Sequence, residues 1–172
     1  MQEYFTEAIV LDEEAAGELD KLVYLYTEDL GLVRAKAKSA RRITSKLAGH
    51  LQLLNFVKIR LVEKNGLQVV DALTSDRAPK TETNLALLRF IKEMTFEFQR
   101  DRKIWLLLKK SLKSPAKNFS YKPFLEVFGF SSQFARCAVC DSAAVRYFSK
   151  TEQLFFCEQH GFKIPKDEVI LI

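Results

Sequence analysis

The sequence has 172 residues, 48% of them hydrophobic and 28% charged, with a net charge of +5 and a pI near 9.1. This composition is typical of one or two globular domains with enough apolar mass for a core, and it argues against a disordered chain. No stretch approaches the roughly 18 uncharged apolar residues of a membrane span, and the first residues lack the pattern of a signal peptide. We therefore expect a cytoplasmic protein that does not contact membranes.

The first 29 residues are acidic and carry the pattern of two β-strands. They hold nine Asp or Glu residues and one Lys. β-branched and aromatic residues are frequent in residues 4–11 and 21–27, with polar residues and Gly17 between them. The sequence therefore predicts two strands joined by a turn. The acids of this turn are ligand types that Mg²⁺ accepts, but a solvated acidic loop is their more common use.

Residues 30–62 form a basic block with eight Lys or Arg residues and no Asp or Glu. In residues 32–38 and 56–62, cations alternate with apolar residues, which on a strand places the cations on one face. The alternative is a solvated charged face, although such a face usually mixes both signs. Rows of cations neutralise a phosphate backbone by releasing its counterions. We therefore predict nucleic-acid binding by Arg34, Lys36, Lys38, Arg41, Arg42, Lys46, Lys58 and Arg60.

The first 76 residues predict a small β-barrel. A loop with a short helix is expected over residues 39–49, and a fourth strand over residues 51–63. Asn65-Gly66 is a strong hairpin signal, so residues 67–73 are expected to return as an antiparallel fifth strand. Five short strands with an insert between the third and the fourth favour an OB-fold, which often binds oligonucleotides.

Beyond a linker at residues 74–83, the hydrophobic period changes to that of helices. Apolar residues from Leu87 to Phe98 recur at spacings of three and four, as on one face of a helix. A second helix is predicted over residues 103–112, and a third near Pro123, because proline is tolerated in a first helical turn. We therefore predict an α+β protein with an OB-fold domain at 1–76 and a small helical domain at 77–172.

All three cysteines of the chain lie in one paired motif. Cys137 and Cys140 are separated by two residues, as are Cys157 and His160. A tight turn can aim such a pair at one metal ion, and two pairs supply the four donors of tetrahedral zinc. The residues between them read as a hairpin, so a zinc ribbon is predicted over residues 137–160. Four protein ligands leave no open coordination position, which indicates one structural Zn²⁺ held by Cys137, Cys140, Cys157 and His160.

Signatures of enzymes are absent from the sequence. The six glycines form no phosphate-binding loop, no nucleophile elbow and no dinucleotide fingerprint. We therefore expect a protein without enzymatic activity. From the residues alone, the alternative to a nucleic-acid-binding protein is a zinc-ribbon adaptor whose basic face binds an acidic protein partner.

Short segments of residues 4–74 resemble, in order and spacing, one known family. They include Glu7-Ala8-Ile9-Val10-Leu11, Ala35-Lys36-Ala37-Lys38, Ala40-Arg41-Arg42, Ser45-Lys46-Leu47 and His50-Leu51-Gln52. The family is that of the bacterial DNA repair protein RecO, many of whose members also have a helical domain with a zinc site that residues 84–160 match in outline.

The resemblance implies an OB-fold, binding of single- and double-stranded DNA, annealing of complementary strands and a nucleoid-associated role in recombination. It also implies RecR and single-strand-binding protein as partners, and loading of RecA onto DNA coated by the latter. The chain departs from the family pattern in three ways. Ser39 stands where a glycine is usual, His160 replaces a fourth cysteine, and the chain is shorter than typical members. The role in DNA repair is therefore expected to transfer better than the partner contacts.

Overall fold

A computed structural model describes residues 2–113 and 119–172 of the chain. Its first part is a closed barrel whose strands follow one another in the order β1-β2-β3-β5-β4. The strands are β1 (Gln2–Ala16), β2 (Asp20–Thr27), β3 (Gly31–Ala37), β4 (Asn55–Glu63) and β5 (Leu67–Arg77). Neighbouring strands are antiparallel, except that β3 and β5 pair in parallel. The long β1 pairs with β4 in its first half and with β2 in its second, and so contributes to closing the barrel.

The predicted alternation of cations and apolar residues is present on β3 and β4. On β3, Val33, Ala35 and Ala37 are fully buried, whereas the residues between them are exposed. On β4, Val57, Ile59 and Leu61 point into the same core. The apolar faces of both strands therefore form the barrel interior, and the cations lie on its outside.

The hairpin between β4 and β5 turns at Asn65 and Gly66, both with positive φ, as the sequence predicts. The predicted short helix in residues 39–49 is wrong, because this part of the described chain contains only turns. Most of the backbone hydrogen bonds in residues 39–54 span three residues, as in turns, for example from Ser45 N to Arg42 O (2.9 Å). Ala40, Leu51 and Leu54 are buried, and their burial fixes both ends of the segment on the barrel.

Two helices follow the barrel, α1 (Glu82–Met94) and α2 (Arg102–Lys113). The Thr81 hydroxyl caps α1 by accepting from Asn84 N at 3.1 Å. The predicted apolar stripe continued to Phe98, but the helix ends at Met94, and Phe98 has a φ of 60°. Phe98 N donates to Leu32 O at 2.9 Å, so the chain leaves the helix to run along β3.

The described chain divides into two compact units, Met1–Pro115 and Ala116–Ile172. The sequence predicts a division at 76/77 instead. The difference arises because α1 packs against β1, and α2 forms ion pairs with the barrel through Lys109 and Lys113. Both helices therefore belong to the barrel unit.

The second unit contains α3 (Lys122–Val127), β6 (Val145–Ser149), β7 (Phe155–Cys157), α4 (Glu158–Gly161) and β8 (Val169–Leu171). The helix near Pro123 and the hairpin of β6 with β7 are confirmed. β8 was not predicted; it pairs with β6 on the side opposite β7. Among the described helices, none has the length and apolar character needed to cross a membrane.

Candidate metal centre and basic surface

The first half of the metal site is a tight turn that holds Cys137 and Cys140. Asp141 N donates to Cys137 O, and Cys137 N donates to Ser142 O, both at 2.9 Å. Asp141 has a φ of 57°, which reverses the chain directly after the second thiol. Both thiols of the pair can therefore face the same point.

The second half of the site lies where β7 meets α4. Cys157 is the last residue of β7 and precedes the first residue of α4, and His160 lies three positions further on. Residues three apart on a helical turn share one face. Gly161 is also required here, because a Cβ at this position would lie 2.4 Å from the Tyr147 ring. No local sequence signal marks this glycine, since the need for it arises only from the packing of α4 on β6.

The four side chains converge with the spacing of a coordination tetrahedron. His160 Nδ1 lies 3.2 Å from Cys157 Sγ and 3.4 Å from Cys137 Sγ, and the sulfurs of Cys140 and Cys157 are 3.8 Å apart. All four ligand atoms lie within 4.8 Å of one another. Metal bonds of about 2.3 Å to sulfur and about 2.0 Å to nitrogen would give tetrahedral edges of about 3.8 and 3.5 Å. The cluster therefore has the geometry to hold one metal ion.

The pKa values of the two thiols of the first turn, Cys137 and Cys140, are shifted in opposite directions. Burial raises the pKa of Cys137, but backbone N–H groups and the His160 ring outweigh it and lower the pKa to about 5. For Cys140, a hydrogen bond with the Ser142 backbone lowers the pKa, but desolvation and the nearby sulfurs together raise it above its usual value. One thiolate thus opposes the ionisation of its neighbour, and a cation between them would remove that opposition.

The cations predicted to bind nucleic acid lie in two separate places. Arg34 and Lys36 project from the outer face of β3, each near an acid: Arg34 pairs with Glu97, and Lys36 Nζ lies 2.9 Å from Asp20. Such exposed pairs contribute little to stability, at about 0–1 kcal/mol. Both cations can therefore exchange a carboxylate for a phosphate at low cost.

Four more predicted cations continue this surface into the segment between β3 and β4: Lys38, Arg41, Arg42 and Lys46. Arg41 Nη1 donates to Gly17 O at 2.8 Å, and Arg41 N donates to Leu19 O at 2.9 Å. These bonds hold the start of the segment against the β1–β2 turn. We call the six cations together the basic surface: Arg34, Lys36, Lys38, Arg41, Arg42 and Lys46.

Lys58 and Arg60 lie on a different face of the barrel, because β5 separates β4 from β3. Arg60 forms a two-pronged ion pair with Glu3, with both oxygens 2.9 Å from Nη2, and it is opposite Asp71 in the strand register. Lys58 is opposite Glu7 on β1. The predicted basic stripe of β4 thus lies beside acids. These acids come from β1 and β5 and reach β4 only through strand pairing.

A network of hydrogen bonds fixes the end of the segment between β3 and β4. Asn55 Nδ2 donates to the carbonyl oxygens of Gly49 and His50 at 3.1 and 2.9 Å. His50 Nδ1 accepts from Thr74 N on β5 at 3.1 Å. The isolated His50 therefore has a structural role and anchors the segment to the barrel.

Asp20 joins the basic surface to β2, and its pKa predicts a pH dependence. The Ser39 N–H and then the Lys36 ammonium lower the pKa of Asp20 below 3.8. A group with a lowered folded-state pKa stabilises the fold above its unfolded-state value, and this stability is lost as the pH falls through the folded-state value. We expect Asp20→Asn to lower the Tm at pH 7, with a difference from wild type that shrinks below about pH 4. Thermal unfolding at pH 7 and pH 3 measures this.

Glu18→Gln serves as the control, because Glu18 is an exposed acid in the neighbouring turn. It should leave the Tm unchanged at both pH values. An Asp20→Asn difference as large at pH 3 as at pH 7 would contradict the assigned role of the carboxylate.

A barrel with a basic outer surface, joined in sequence to a Cys₃His ribbon, defines a two-unit protein with a candidate structural metal centre. Residues 1–75 match the family described as Recombination protein O N terminal. The chain is 27% identical over 177 residues to DNA repair protein RecO of Dehalococcoides mccartyi strain 195, covering 90% of this chain and 69% of the relative. It is also 27% identical over 165 residues to DNA repair protein RecO of Thermoanaerobacter sp. strain X514, covering 85% and 66%.

A third relative, DNA repair protein RecO of Roseiflexus sp. strain RS-1, is 27% identical over 153 residues, which are 80% of this chain and 54% of that protein. The chain thus spans between about half and two thirds of the length of these relatives. Residues 1–75 thus match a RecO family model, and most of the chain is similar to proteins named DNA repair protein RecO, in agreement with the resemblance of its short segments.

Proposed function

We propose that this protein acts in DNA repair as a non-enzymatic recombination mediator that binds DNA on the basic surface. The observation that carries the proposal is the run of six cations on β3 and the following segment, with no acid among them in the sequence. The similarity to proteins named DNA repair protein RecO supports the same conclusion.

We propose that the barrel is an OB-fold. Five strands in the order β1-β2-β3-β5-β4, with a parallel contact between β3 and β5, are compatible with a Greek-key barrel of this kind. OB-folds bind oligonucleotides on the face of strands 2 and 3 and on adjoining loops. The basic surface occupies β3 and the segment against the β1–β2 turn, so its position agrees with that mode of binding.

Cation rows would bring two DNA strands together by a simple electrostatic effect. Each phosphate that is neutralised releases counterions, and two strands on one basic surface repel one another less. This favours annealing of complementary strands and requires no nucleotide. Lys58 and Arg60 are assigned a smaller part, because acids of β1 and β5 lie beside them on their own face of the barrel.

For the metal site we propose one structural Zn²⁺ per chain. Three thiols and one imidazole are borderline-soft donors, which zinc prefers in a closed tetrahedral site. Bound zinc would compensate the crowded thiolates and fix the turn of Cys137 and Cys140 to α4. We further propose RecR, single-strand-binding protein and the RecA pathway as partners; this rests on the similarity to the RecO family alone.

The proposal predicts a strong dependence of DNA affinity on salt. Six phosphate contacts at about 0.7 each give a slope of about −4 for log affinity against log salt with single strands. Lys38→Gln with Arg42→Gln should reduce the steepness of this slope by about 1.4. The measurement is a titration of labelled single-stranded DNA at several salt concentrations.

Lys58→Gln with Arg60→Gln is the matched control, since it removes the same charge from the other face. It should change the slope by much less. Wild-type protein that binds an acidic peptide but no DNA would favour the alternative, an adaptor for acidic protein partners. A slope equally reduced by both double variants would remove the special role of β3 and the segment that follows it.

A further inference from the structure

The segment between β3 and β4 (residues 38–54) is fixed at both ends but carries an exposed aliphatic side chain in its middle. Ala40, Leu51 and Leu54 have at most 1% of their surface exposed. Ile43 has a relative exposure of 104%, the highest of any large hydrophobic side chain in the described ranges 2–113 and 119–172. The segment thus holds Ile43 clear of the barrel.

Single exposed apolar residues are common on protein surfaces, so exposure alone carries no argument. The surroundings of Ile43 provide one. Arg42 precedes it and Lys46 follows three residues later. Among the residues that the structure describes, neither has an acidic partner within ion-pairing distance. In the sequence, a bare aliphatic side chain therefore stands between two cations that are available for phosphates.

We propose that Ile43 inserts at an unstacked base step of the strand whose phosphates Arg42 and Lys46 bind. This inference rests on the proposed DNA-binding function. Aliphatic wedges, isoleucine among them, insert between bases in this way in proteins that deform DNA. A β-branched side chain has few rotamers, so little conformational freedom is lost on insertion.

The insertion gives the site a preference among DNA forms. Opening a stacked step in a duplex costs a few kcal/mol per step, whereas a single strand is already partly unstacked. Phosphate contacts alone give no preference for single strands, because a duplex has the higher density of phosphate charge. Ile43 therefore favours single strands over duplexes, which suits a protein that presents strands for annealing.

The test is Ile43→Ser, titrated with single-stranded DNA that contains 2-aminopurine, a base that brightens when it is unstacked. The affinity should fall about tenfold, since the buried apolar area of one isoleucine is lost. The salt slope should stay unchanged, because no phosphate contact is removed. The brightening of 2-aminopurine seen with wild type should disappear, and the preference for single strands over duplex should decrease.

Two further variants make the result specific. Val70→Ser removes another exposed aliphatic side chain, 47% exposed on β5, and should leave DNA binding unchanged. Ile43→Phe offers a larger wedge and should retain both affinity and brightening. Because Ile43 is fully exposed and makes no contribution to the core, the serine variant should keep the Tm of the wild type. A lower Tm would reveal a folding defect.

Unchanged affinity and unchanged brightening in Ile43→Ser, with salt-dependent binding by wild type, would overturn the inference and leave the proposed function standing. So would Ile43→Phe binding as weakly as the serine variant. Wild-type protein that binds no DNA at all would instead overturn the proposed function, and this inference with it. A serine variant that loses affinity together with a reduced salt slope would assign Ile43 to positioning the cations and overturn the wedge.

Discussion

Cys157→Ser is expected to release the metal from the second unit and to unfold the ribbon of residues 137–160. Cys157 is buried at the junction of β7 and α4, so its loss removes a ligand and also leaves a polar hydroxyl at a buried position. Binding of structural zinc supplies about 10–16 kcal/mol in small zinc domains, and much of it is folding energy. The zinc content should fall from one ion per chain to nearly none. Elemental analysis and the NMR spectrum of the second unit measure the two effects.

Val139→Ser is the matched control, because Val139 lies between two ligands but is 64% exposed and donates nothing to the site. It should retain the metal.

Zinc affinity of wild type should also fall as the pH is lowered, since the thiols must ionise to bind. Carefully prepared wild-type protein without zinc, with three freely titratable thiols, would refute the metal assignment.

Gly31→Ala is expected to destabilise the barrel unit strongly. Gly31 has a φ of +72°, and a Cβ there would lie 2.0 Å from the backbone oxygen of Gln99. The left-handed conformation alone costs alanine about 1–2 kcal/mol. The clash is with backbone, which can yield only if the segment after α1 moves away from β3. We expect a total loss of more than about 3 kcal/mol, measured by urea unfolding.

Gly66→Ala separates the two contributions. Gly66 also has a positive φ, of +101°, but its Cβ would have open space around it. This variant should lose only the conformational part, about 1–2 kcal/mol. Equal losses in the two variants would show that the approach of Gln99 to Gly31 is not a constraint.

Local signals predicted much of the structure. Period-two alternation identified β3 and β4, and Asn65-Gly66 located the hairpin that follows. The spacing of the four ligands predicted their convergence, because a turn with two residues between ligands can aim both side chains at one metal ion. The ligands are Cys137, Cys140, Cys157 and His160. These features depend on neighbours in sequence, which is why a single sequence reveals them.

The failures all depend on contacts between distant residues. The sequence predicts a short helix in the segment after β3, but burial of Leu51 and Leu54 and the bond from Thr74 N to His50 Nδ1 outweigh local helix propensity. The sequence pattern places Arg60 on a purely basic surface, because Glu3 and Asp71 reach it only through strand pairing. Ser39 stands where RecO proteins usually have a glycine, and it has a φ of +53°. Glycine adopts such a positive φ more readily than serine does, which explains the usual residue.

The pairing of β3 with β5 covers only Ala35 to Ala37, and the rest of the β3 edge is covered from far along the chain. Leu32 bridges to Glu97, and Phe98 N donates to Leu32 O at 2.9 Å. An uncovered strand edge is a template for pairing with other chains. During synthesis at about 5–20 residues per second, this edge therefore stays open for some seconds after β5 has been made. Newly made chains are thus most prone to misassociate in the interval before residues 95–101 leave the ribosome.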